Sequence, residues 1–193
     1  KEIPDMDDER AEVIMYGLQL IIGEIPKFFI TLIIAYFLGV FKLTLLTVMV
    51  LMPYRVSSGG FHLKTHIGCI VSTTLYYCGI AVLAKNISIA QNVEYILAFG
   101  IWIFGIMMIK LYAPADTENV PILRKSERKQ KQILSYITFT LGLIIAIIIK
   151  NPIISNILLF GNLIQSMMIT RVAYRLTGSQ YGYELYQKET STN

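Results

Sequence analysis

The chain has 193 residues, 54% of them hydrophobic and 16% charged, with a formal net charge of +4 and a mean hydropathy of +0.57. A soluble domain carries about a quarter charged residues, and a single core of this size has no room for so much apolar surface. Two cysteines, Cys69 and Cys78, are too few for a disulfide framework.

The opening is acidic, with Glu2, Asp5, Asp7, Asp8 and Glu9, and shows no signal-peptide pattern. The first residue is Lys1 rather than methionine, which leads us to expect an altered start. From Asp7 to Ile25, Ala11, Ile14, Met15, Leu18 and Ile22 fall on one helical stripe. That pattern predicts an interfacial amphipathic helix, or the polar cap of a first span. Glu24 and Lys27 stand three apart and are expected to pair, lowering the cost of burial.

Between Leu18 and Tyr54 the apolar residues form either one span, Phe28–Leu51, or two spans that turn at Gly39-Val-Phe-Lys42. We read two, the second of them short. Four longer runs follow: Ile67–Ala84, Val93–Leu111, Ile133–Ile149 and Ile153–Thr170. Each approaches the roughly 20 residues that cross a hydrocarbon core. Six spans with both termini inside put fourteen of the 17 basic residues on the inner side, leaving Lys42, Lys85 and Lys150 outside. That asymmetry is the one the positive-inside rule expects. The predicted fold class is therefore all-α: a polytopic transmembrane helical bundle of about six spans, with an N-terminal amphipathic helix. It forms one domain, with residues 1–24 cytoplasmic or interfacial, 25–172 transmembrane and 173–193 a cytoplasmic tail.

The chemistry concentrates between the second and third spans, in Arg55-Val-Ser-Ser-Gly-Gly-Phe-His62-Leu-Lys-Thr-His66-Ile-Gly-Cys69. Polar groups at membrane depth are costly and point to function. On a straight helix, His62 and Cys69 would sit about 10.5 Å apart along the axis, whereas proton transfer needs about 2.6–3.2 Å. A working pair therefore requires a bend, for which Gly59, Gly60 and Gly68 are the candidates. His66 is the rival base, since it meets Cys69 without a kink. Ser72, Thr73 and Tyr76 share the helical face of Cys69, and Cys78 shares the apolar side of Ile67 and Val71. A metal site lacks a fourth ligand and the usual paired spacings.

Further on, Trp102 lies mid-span and is expected to pack between helices. Asp116 and Glu118 read as a solvated loop or helix cap after Pro114, with orientation of His62 as the functional alternative. The basic residues Arg124, Lys125, Arg128, Lys129 and Lys131 have three readings: topology, anionic lipid, or docking of an acidic substrate tail. Topology already accounts for this charge, so nucleic acid is not an expected partner. Tyr174, Tyr181 and Tyr183 with Arg171 and Arg175 read as an interfacial anchor.

Arg55, Ser58-Gly59-Gly60-x-His62 and Cys69, with Tyr112-Ala-Pro-Ala-Asp116 and Pro121-Ile122 before a basic stretch, resemble the accessory gene regulator B (AgrB) family of membrane peptidases. The resemblance covers nearly the whole chain and lacks His66. It implies a plasma-membrane cysteine endopeptidase that removes the C-terminal tail of an AgrD-like signalling pro-peptide and promotes cyclisation, commonly to a thiolactone. Cys69 would be the nucleophile, His62 the base and later acid, with Arg55, Ser58, Gly59 and Gly60 supporting. Backbone N–H groups near Gly59-Gly60 or at the start of the third span are candidates for an oxyanion hole. The resemblance further implies a homodimer; the basic Lys110–Lys131 loop puts the catalytic site toward the cytoplasm, membrane lipids are expected partners, and no cofactor is expected. The rival functions are a small peptide transporter without covalent catalysis and a non-catalytic membrane scaffold.

Overall fold

In a computed structural model, residues 24–63, 65–118 and 120–192 are described, and these are helical nearly throughout. The amphipathic segment expected over 7–25 lies outside them except for its last two residues. Helix α1 covers 24–37. It is followed by α2 (Phe41–Ser58), α3 (His66–Asn86), α4 (Gln91–Tyr112), α5 (Lys125–Ile148), α6 (Pro152–Met168), α7 (Arg171–Thr177) and α8 (Gly182–Thr192). Among the described residues no strand forms; isolated bridges join Gly59 to Ala115 and Thr117 to Val120.

Three helices, α3, α4 and α5, are each long and apolar enough to cross a membrane. A fourth span is counted if α6 and α7, bent by 72°, are taken together. The first third is broken in two at Leu38–Val40, with Gly39 at φ 67°, so the two-piece reading describes it. At about 1.5 Å per residue, α1 and α2 reach only about 21 and 27 Å, less than a hydrocarbon core of about 30 Å. What they lack in length α2 makes up by burial, packing against α3, α5 and α6. Against about six expected spans, three helices, or four elements with the bent pair, have the length and hydropathy of a crossing, and α1 and α2 fall short of it.

The bundle inverts the pattern of a soluble protein. Phe29, Ile33, Phe37, Leu75, Ile96 and Ile148 are exposed, ready to meet lipid tails. Thr44, Thr47, Ser135, Asn156, Asn162, Gln165 and Ser166 are buried between helices. Lipid is as apolar as leucine, so close packing and interhelical hydrogen bonds hold such a bundle. Tyr54 Oη, for example, lies 2.9 Å from Ser166 Oγ and ties α2 to α6. Tyr54 also meets the Phe139 ring of α5 at 5.2 Å between centroids.

Candidate active site

The site lies at the bundle end where α2 stops, α3 starts and α4 gives way to the central loop. Helix α2 ends at Ser58 because Gly59 adopts φ 75°, ψ −150°, and its N–H closes on the Arg55 carbonyl at 3.0 Å. Gly60 follows at φ 144°. Both conformations belong to glycine. The central loop presses against this turn: Gly60 N–H donates to Ala115 O at 2.9 Å, and Ala115 N–H donates to Ser58 O at 2.8 Å. A methyl group on Gly59 would collide with the Ala115 carbonyl, and one on Gly60 would come within 2.8 Å of the Arg55 guanidinium.

From Gly60 to Leu63 the chain is non-helical. Thr65 then caps α3, its Oγ1 accepting from Gly68 N–H at 3.1 Å. This loop folds His62 back toward the first turn of α3, and its Nδ1 stands 4.0 Å from Cys69 Sγ. The bend comes from Gly59 and Gly60; Gly68 is helical. The thiol meanwhile donates to Leu63 O at 3.3 Å. At 4.0 Å the two groups stand beyond direct proton-transfer range, so a working pair requires a side-chain movement or a bridging water. His66 opens α3 and is exposed. Cys69 sits in the first turn of α3.

His62 counts as exposed over the whole residue, yet the protein crowded around it withholds enough water to disfavour the imidazolium. Arg55 works in the same direction, with Glu24 opposing and Lys27 adding to it. Together they lower the His62 pKa to about 4. At neutral pH the ring is therefore uncharged and able to accept a proton.

A cavity of about 740 Å³ opens onto these groups. Ser72, Thr73 and Tyr76, the expected companions of Cys69 on α3, line it with Arg55 and the Ala115–Thr117 stretch of the central loop. Arg55 Nη1 donates to Gln165 Oε1 at 3.1 Å and approaches Met168 Sδ at 3.5 Å. Its guanidinium lies 5.8 Å from the Tyr76 ring centre. Gln165 Nε2 donates to Gly59 O at 2.8 Å and Ser58 Oγ at 2.9 Å. The Gly59 and Gly60 amides considered for an oxyanion hole are already committed, to Arg55 O and Ala115 O.

The central loop departs from expectation. Asp116 is neither solvated nor beside His62: it is buried, and its Oδ2 accepts from Arg128 Nη1 (2.9 Å), Ile122 N–H (2.9 Å) and Tyr183 N–H (3.1 Å). Glu118 is exposed. Arg128 thus turns inward, and its guanidinium also covers the Tyr183 ring at 4.3 Å. Lys131 pairs with Glu127 at 3.7 Å, and both reach the cavity; Lys125 and Lys129 are exposed.

Of the tyrosines read as an interfacial anchor, Tyr174 is a packing group. Tyr174 is buried, stacks on Tyr181 at 4.1 Å, and donates to the Ala115 and Asp116 carbonyls at 3.0 Å. Arg171 pairs with Glu184. The segment following α7 even reaches the site, since Ser179 Oγ donates to His62 O at 2.7 Å.

Elsewhere, Lys27 is buried and pairs with Glu24 at 2.6 Å. Trp102 is 39% exposed and links to Thr140 on α5 through its Nε1 at 3.4 Å. Ile67 and Val71 face outward, while Cys78 is buried against α1 and α2, near Thr31 O and Thr44 Oγ1. Among the described residues no group of three or more His, Cys, Asp or Glu side chains is placed to hold a metal ion. Gln165 and Ser179 escaped the sequence reading. The signal for Gln165 was a buried amide within an apolar run; Ser179 gave none.

Comparison with known proteins gives a consistent picture. The family model for accessory gene regulator B matches residues 1–169. Accessory gene regulator protein B of Staphylococcus aureus strain N315 is 34% identical over 158 residues, covering 82% of this chain and 81% of that protein. AgrB-like proteins of Listeria innocua and Listeria welshimeri are each 31% identical, over 189 and 188 residues, covering 94% of this chain and 88% of theirs. No solved structure matches.

Proposed function

The chain belongs to the accessory gene regulator B family, and on that premise we propose that it is a membrane cysteine endopeptidase for an AgrD-type quorum-sensing pro-peptide. The observation that carries the reading is the approach of Cys69 Sγ to His62 Nδ1, 4.0 Å apart on the wall of a cavity large enough for a peptide segment.

The chemistry follows from those two groups. Neutral His62 takes the thiol proton as the sulfur bonds to the scissile carbonyl carbon. The tetrahedral adduct collapses, the C–N bond breaks, and the leaving nitrogen takes the proton back from His62. The peptide tail departs as a free amine, and the remainder stays on Cys69 as a thioester. A thiol within the bound peptide then gives its proton to His62 and attacks that thioester. The ring closes as a thiolactone and Cys69 leaves as thiolate, to be reprotonated by the imidazolium. One thioester replaces another, so the exchange costs little, provided that water is kept from the acyl group. A site at the membrane boundary suits that demand.

The basic central loop lies at the same end of the bundle as the cavity, and the positive-inside rule puts that end in the cytoplasm. Exposed Lys125 and Lys129, with Arg124 and Lys131, would receive an acidic tail there; Arg128 is committed to Asp116. A homodimer within the lipid bilayer completes the reading.

The test uses the full chain in liposomes with a synthetic AgrD-type pro-peptide. Cys69→Ala and His62→Ala each abolish cleavage, and mass spectrometry of the unaltered protein captures a peptide thioester on Cys69. Cleavage by Cys69→Ala at the unaltered rate would leave a transporter or scaffold as the better reading.

A further inference from the structure

Gln165 is wholly buried in the last turns of α6, and its amide has one workable orientation. Arginine can only donate and a carbonyl can only accept. Oε1 must therefore face Arg55 and Nε2 must face Gly59 O, and the structure arranges them that way. A carboxamide serves both ends at once. Glutamate would remove the amide donor from the Gly59 carbonyl, and leucine would remove the bridge altogether, leaving Arg55 Nη1 only Met168 Sδ and Gly59 O only the Ser58 hydroxyl at 3.5 Å.

This bridge fixes one nitrogen of the guanidinium. Nη1 is engaged by Gln165 and Met168, while Nε and Nη2 have no hydrogen-bond partner among the described residues. Arg55 lines the same cavity as Cys69 and His62. The Gly59 and Gly60 N–H groups beside it are already committed, to Arg55 O and Ala115 O. An attacked carbonyl develops negative charge on its oxygen, and a fixed cation on the cavity wall is well suited to meet it.

Resting on the peptidase reading, we infer that Arg55 supplies the charge that stabilises the oxyanion, and that Gln165 is a positioning residue that holds its guanidinium toward the cavity. Gly60 is part of the device, because a methyl group there would come within 2.8 Å of Arg55 Nη1 and crowd the guanidinium.

A double-mutant cycle on the full chain in liposomes, with a synthetic AgrD-type pro-peptide, tests this. Arg55→Ala lowers kcat by about 10²- to 10³-fold with KM little changed, and millimolar guanidinium restores part of it. Gln165→Leu lowers kcat by about 10- to 100-fold, as expected of a residue that orients a reacting group. The double variant is no slower than Arg55→Ala, because Gln165 acts through Arg55. Losses that multiply in the double variant would show that Gln165 merely supports the Gly59 turn, and overturn the inference. So would failure of guanidinium to restore Arg55→Ala, a result that does not depend on how the Gln165 variant folds. Cys69→Ala in parallel separates the two claims: cleavage by that variant brings down the peptidase reading itself.

Discussion

Arg128 donates to Asp116 from twelve residues away, Nη1 to Oδ2 at 2.9 Å, and the carboxylate that it meets is almost wholly withdrawn from solvent. Removing the cation strands a buried charge, which costs about 3–5 kcal/mol. Arg128→Ala is therefore expected to lower the melting temperature in detergent and open residues 117–124 to limited proteolysis. An unaltered melting curve and cleavage pattern would show that the pair contributes nothing to the loop.

The pH dependence follows from the lowered His62 pKa. The base works while neutral, so activity is lost as pH falls through the folded value rather than through the ordinary 6.5. Cleavage should hold its neutral-pH rate below pH 6.5 and fall only toward about pH 4. An acid limb centred at 6.5 or above would mean that the ring is as well hydrated as a free histidine.

The two cysteines should differ in labelling. Cys69 is half-buried on the cavity wall and Cys78 is 3% exposed between helices. Iodoacetamide is expected to modify Cys69 and block cleavage, while Cys78→Ala cleaves normally. Modification at Cys78 first would contradict this placement.

The glycine turn admits no side chain. Gly59→Ala meets both a left-handed backbone and the Ala115 carbonyl, so it should abolish cleavage while His66→Ala leaves it intact. Comparable losses in both variants would argue that His66, and not the turn-borne His62, serves the sulfur.

Much of this was legible in the chain itself. The apolar runs, the break at Gly39 and the need for a bend before Cys69 follow from spacing and helix geometry, because each is a local matter. The bend was narrowed to three glycines, of which Gly59 and Gly60 carry it while Gly68 stays helical. What escaped depends on partners far away in sequence. Asp116 reads as a solvated loop acid because nothing nearby announces Arg128 and Tyr183. Tyr174 reads as interfacial because aromatic rings beside arginines suit a headgroup region, yet it is buried against Tyr181 and the central loop. Gln165 was the one distant participant with a visible signal, a buried-type amide in a span, where an unpaired polar group is expensive.

The hydroxyl of Ser179 holding the His62 carbonyl also bears on how the molecule is made. Of the groups that shape the cavity, Ser179 and Tyr183 are the last to leave the ribosome. A nascent chain halted at Thr177 already carries the thiol and the imidazole, but neither the histidine loop nor Asp116 has met its final donor. The histidine loop and the Asp116 cluster are thus completed only by residues that follow α7.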